Sequence, residues 1–212
     1  MTDIYLEIGA KKVFACAYDW PGWCRIGKGE EGAIEALSEY VPRYRVIAER
    51  AGLPFEPDAF TVVERAPGDT STDFGAPSAI PAIDAQPVDA ADAERDTALV
   101  RAAWEVFDEV AAGSPEELRK GPRGGGRDRD KMMAHVVEAE RSYARKIGVR
   151  HRRFPLGDHA ARAAMRGEIA EVLGKPSGGS PLVPGGWPAR YAARRIAWHV
   201  IDHIWEMEDR RV

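Results

Sequence analysis

The sequence predicts an α+β protein, in which a small N-terminal α+β domain (a short antiparallel sheet plus a helix) precedes an all-α four-helix bundle. Three observations lead there. Residues 4–26 carry short apolar runs, the first alternating with a period of two. Several stretches after residue 93 repeat apolar residues every three to four positions. Between these regions, residues 66–92 contain no Lys or Arg, five Asp and the four prolines Pro67, Pro77, Pro81 and Pro87. The expected division is therefore 1–64, a Pro/Asp-rich linker over 65–93, and 94–212.

The chain has 212 residues, of which 44% are hydrophobic and 30% charged, enough to build a packed core. A net charge of −4 makes no case for nucleic acid as a partner. No cationic segment followed by an apolar run opens the chain, and no stretch is apolar enough for a bilayer, so the expected setting is the cytoplasm, with no membrane partner. There the two cysteines, Cys16 and Cys24, are expected as free thiols, with a disulfide across a hairpin as the less favoured alternative.

Ile4, Leu6 and Ile8 alternate with Tyr5, Glu7 and Gly9, as in a strand with one buried face. Val13 to Tyr18 reads as a second strand, Pro21-Gly22 as a turn, and Cys24 to Ile26 as a third strand. Gly27-Lys28-Gly29 lacks the spacing of a phosphate-binding loop and reads as a strand-to-helix connection. A helical stripe runs through Ala33, Ala36, Leu37, Tyr40, Tyr44, Ile47 and Ala48, interrupted by Pro42 and closed by Gly52 and Pro54. Phe60 to Val63 is a returning strand. Thr72-Asp73-Phe74-Gly75 reads as a plain loop.

Helices follow over 94–112, 128–147, 158–173 and roughly 187–210, with a further start at Ser114-Pro115-Glu116-Glu117. The segment from Lys120 to Arg127 is basic and glycine-rich, a solvated loop.

The last helix holds the sharpest signal. Ile196, His199, Val200, His203, Ile204 and Met207 share one face, so two imidazoles sit one turn apart in an apolar stripe. Buried ring nitrogens need partners, and a divalent metal is one that both can share. A backbone carbonyl or a carboxylate would serve either ring equally well, so the metal reading depends on a third ligand. His135 lies on the core face of the 128–147 helix with Met132, Val136, Ala139 and Tyr143. His151 and His159 lie in basic or turn-like surroundings and read as surface residues. Glu138 and Glu206, each three positions after a histidine, either border the pocket or sit solvated on its rim. Trp198, Trp205 and Tyr143 are wall candidates whose default role is packing.

Two resemblances follow from these residues. Trp-Pro-Gly-Trp at 20–23, followed by a helix opened by Glu30-Glu31 and Ala33, resembles the HicB-like fold over about 60 residues, which implies a small α+β module. Met-Met-Ala-His135-Val-Val-Glu together with Trp-His199-Val-Ile-Asp-His203-Ile-Trp-Glu resembles the DinB-like four-helix bundles. That family places one histidine on its second helix and a His-x-x-x-His pair on its last. The resemblance implies that His135, His199 and His203 bind one divalent metal. Zinc suits three imidazoles and an open position, and nickel, iron or manganese fit the same donors.

The implied activity is that of a metal-dependent transferase, isomerase or hydrolase acting on a small-molecule substrate, with water or a low-molecular-weight thiol as nucleophile. Arg123, Arg127 and Arg194 are candidates to hold an acidic substrate, and nothing in the sequence selects among them. The alternative from another class is a non-enzymatic binding module, whose N-terminal domain recognises a protein or nucleic acid. A homodimer is compatible with either.

Overall fold

The computed structural model describes residues 1–121 and 125–211. Its order is β1 (Thr2–Ile8), β2 (Val13–Ala17), β3 (Cys24–Gly27), α1 (Gly29–Glu39), α2 (Val41–Arg50), β4 (Phe60–Pro67), α3 (Thr70–Phe74), a 3-10 turn (Ala82–Ala85), α4 (Ala90–Ala112), α5 (Arg129–Arg145), α6 (His159–Leu173) and α7 (Ala189–Arg210). This is an α+β chain with strands first and long helices after.

The four strands lie in the order β3-β2-β1-β4. β1 pairs antiparallel with β2 and parallel with β4, and β2 pairs antiparallel with β3. Pro42 falls in the first turn of α2, where its missing N–H costs nothing, so the long stripe divides into two helices.

Both faces of β1 are covered, which corrects the expectation of a half-buried strand. Ile4 and Leu6 join a core with Leu37, Tyr44 and Ile47 of α1 and α2 and Leu99 and Ala103 of α4. On the other face, Tyr5, Phe14, Cys16 and Tyr18 pack with Trp198 of α7 and with Ala76, Ala79 and Ile83. The proline-rich segment is thus a strap across the sheet. Its anchor is Glu7, fully buried, which accepts bonds from Thr72 Oγ1 at 2.5 Å, Ser78 N at 2.9 Å and Ala79 N at 3.0 Å. Three donors make a buried carboxylate tolerable. The stretch expected as a plain loop is instead the helical turn α3, capped by Asp69 in a capping box.

Cys16 and Cys24 are directly opposite across β2 and β3 and form a disulfide, not free thiols. Gly22 (φ 88°) turns the chain between these strands. A Cβ there would lie 2.6 Å from Ile201 Cδ1 and 2.9 Å from the backbone at Ala197 and Trp198, so only glycine lets this turn seat on α7.

α7 packs on α4, α5 and α6, and its face from Ile196 to Met207 is buried. The expected helix at Ser114 does not form. Ser114 Oγ donates to Val110 O at 2.6 Å, closing α4, and Arg119 N donates to Arg210 O at 2.9 Å, drawing an extended segment along the end of α7. Among the described residues no helix is long and apolar enough to cross a membrane.

Candidate metal centre

His135 comes from α5, and His199 and His203 from consecutive turns of α7. The two helices pack together because Met132 and Val136 flank His135, while Ile196, Val200 and Ile204 flank the α7 pair. One candidate donor atom from each ring can be chosen so that all three lie within 4.8 Å of one another. His135 Nε2 and His199 Nε2 are 3.2 Å apart. Tetrahedral zinc with Zn–N bonds of about 2.05 Å has N···N edges of about 3.3 Å, so this pair already spans one coordination edge.

Two of the rings, His199 and His135, are held neutral, as ligation requires. Burial pushes His199 down to about 2, and the charges of His203 and His135 push the same way. Burial also lowers His135 to about 4, with Arg127 and His203 contributing. The third ring is oriented from outside: His203 Nδ1 meets Glu206 Oε2 at 2.8 Å, so with Nδ1 protonated its Nε2 lone pair is free for a cation. Glu206 accepts a second bond from Arg210 at 2.6 Å. Its carboxyl is held below the usual range, first by the bond to His203, and Arg210 adds to the effect.

His199 Nδ1 is buried without a partner among the described residues. Tyr143 stands edge-on to the His199 ring at 5.7 Å, and Trp198 covers the Cys16–Cys24 pair on the far side of α7. The chemistry of the donor set fits a divalent metal: three imidazoles from two helices, with Glu206 fixing one of them. Three close histidines able to bind a metal ion are what the structure brings together, and nothing in their geometry selects the metal.

The other expected residues separate. Glu138 turns out to Arg141 and lines a different cleft with Arg153 and Phe154. Trp205 packs on Tyr40 at 4.7 Å, outside the histidine cluster. His159 is exposed, and His151 pairs with Glu168 at 3.2 Å. Arg194 is unavailable to a substrate, because it is buried and donates to Asp84 and Tyr5. Arg127 bears on His135 and His199 through its charge, and Arg123 lies outside the described residues. Sequence reasoning missed Arg210, although its place four residues after Glu206 and seven after His203 puts it on the same helix face.

No family model, curated protein or solved structure matches this chain.

Proposed function

We propose that the chain is a divalent-metal-binding protein of the DinB-like kind, acting as a metal-dependent transferase or hydrolase on a small molecule. The observation that carries this reading is the convergence of His135, His199 and His203, close-set at the α5–α7 contact. In this reading α4 to α7 correspond to the four helices of that family's bundle, with one histidine on the second and two on the last. The order β1-β2-β3-α1 agrees with a HicB-like module over 1–64.

When bound, the metal would supply a Lewis acid that activates water or a low-molecular-weight thiol. The chain's own residues do the rest. Glu206 keeps His203 in the tautomer that presents Nε2 and is itself steadied by Arg210. Tyr143 and the apolar flanks of the three rings limit water, which strengthens electrostatic interactions inside the site.

The test is elemental analysis of gently purified protein beside the His199→Ala variant. The expected result is about one metal ion per chain, lost in the variant. Protein that takes up no metal even after incubation with zinc and nickel would refute the reading.

A further inference from the structure

Beside the histidines α7 borders a concavity. A cleft of about 670 Å³ opens between α7, the start of α2 and residues 119–121, within the size range of small-molecule sites. Trp205 and Tyr40 line it, and the Arg25 guanidinium stacks 3.9 Å above the Tyr40 ring. Arg119, Lys120 and Arg210 contribute from the loop and the helix end. Glu206 is the shared wall, since the carboxylate that lines the cleft also holds His203.

Each carboxylate of this cleft has a cationic or imidazole partner, whereas its guanidiniums keep N–H donors to spare. Its three carboxylates are engaged: Asp202 by Arg25 at 3.2 Å, Glu206 by His203 and Arg210, and Asp209 by Arg43 at 2.9 Å. Its guanidiniums are not saturated. Arg119 is exposed and donates through Nη2 to the backbone oxygen of Asp209 at 2.7 Å, and it has no carboxylate partner among the described residues. Arg25 uses Nη1 for Asp202, and its Nη2 has no bond among the described residues. Spare donors in a fork geometry beside aromatic rings match a planar anion.

We propose that this cleft binds the carboxylate of a small organic acid, with Arg119 and Arg25 as donors and the rest of the ligand running along Glu206 toward the histidines. As a substrate site this rests on the metal-dependent reading above. As a binding site it does not.

The experiment is calorimetric titration of the full chain with benzoate, benzamide and inorganic phosphate, with and without bound zinc. Saturable benzoate binding is expected in both states, with weak binding of benzamide and phosphate. Arg119→Ala should weaken benzoate at least about tenfold, the loss of one charge-assisted contact, and Arg119→Lys should fall between. The Trp205 indole N–H resonance, assigned with Trp205→Phe, should shift on titration. No saturable benzoate binding, equal affinity for benzamide or phosphate, or an unchanged affinity in Arg119→Ala would overturn the proposal. Zinc uptake without benzoate binding removes the cleft alone. Benzoate binding in a chain that takes up no metal removes the enzyme reading and leaves the cleft standing.

Discussion

Two buried polar residues of α7, Arg194 in its first half and His199 in its second, are paired in opposite ways. In the first half, Arg194 is buried and saturated: Nε donates to Asp84 Oδ1 at 3.0 Å, Nη2 to Asp84 Oδ2, and Nη1 to Tyr5 Oη at 2.5 Å. Arg190 Nη2 pairs with Asp92 at 2.9 Å, while its Nε has no partner among the described residues. In the second half, the buried His199 Nδ1 has no partner among the described residues, and its Nε2 faces another ring nitrogen. One helix thus carries an ion-paired arginine that fastens the strap to the sheet and a histidine cluster close enough to bind a metal ion.

The comparison breaks most visibly at Asp84. Asp84→Ala would leave the Arg194 charge buried with only Tyr5 as partner, and removing one member of such a pair costs about 3–5 kcal/mol. His199→Ala, assayed without metal, removes a group that has no complementary partner and should cost far less. Urea unfolding of the two variants in chelator checks this, and equal midpoints would erase the distinction between the halves.

Asp96 on α4 sharpens the comparison, because it is the under-paired member of the closed end. It is buried, Arg95 lies 3.8 Å from it, and burial raises its carboxyl to about 7 despite the charges of Arg190 and Arg95. A folded value above the ordinary carboxylate value means that the unfolded chain releases this proton first. The stability it contributes is complete below about pH 4 and is lost as pH rises toward 7, at up to about 1.4 kcal/mol per pH unit. Asp96→Asn should remove that slope, so the variant gains on the parent between pH 4 and 7. Denaturant midpoints at four pH values decide it, and parallel profiles would exclude the effect.

At the open end the corresponding change is Glu206→Gln. The amide oxygen can still accept from His203, but it lacks the charge that strengthens this bond and the one from Arg210. Outer partners of this kind are worth about 10–100-fold in metal affinity. Competition with a chromophoric chelator should show a loss of that size with stoichiometry unchanged. An unchanged affinity would mean that packing alone orients His203.

Much of this was legible in the sequence. The three histidines could be placed because helical period puts His199 and His203 on a stripe with Ile196, Val200 and Met207, and His135 on one with Met132 and Val136. The strands and the Pro42 division followed from alternation and from the missing N–H. What was not legible depends on contacts distant in sequence. The strap is held by Glu7 reaching Thr72, Ser78 and Ala79, and no local pattern in a Pro/Asp-rich stretch encodes its partner. The Cys16–Cys24 pairing follows from strand register, which apolar runs of three to five residues do not specify. Ser114 begins a sequence typical of a helix start, but its hydroxyl is used to close the preceding helix. Arg25 and Arg119 meet at one cleft only because the end of α7 passes between them.

The smallest effect concerns the strap itself and again contrasts satisfied polar groups with another kind of residue. Phe74, the one aromatic of α3, is 85% exposed, whereas Thr72 two positions earlier is buried between Glu7 and the Asp69 backbone N–H. If hydrophobic docking held the strap, Phe74→Ala would be the damaging change. The contacts require the reverse. Phe74→Ala should alter stability by less than about 0.5 kcal/mol, the range of surface substitutions. Thr72→Val keeps the shape but removes a donor to a buried carboxylate and should cost about 1–3 kcal/mol. Amide exchange at Ser78 and Ala79, whose N–H groups bind Glu7, should rise in the Thr72 variant and not in the Phe74 variant. The opposite ranking would assign the strap to apolar packing, and the polar closure of this half of the molecule would have to be abandoned.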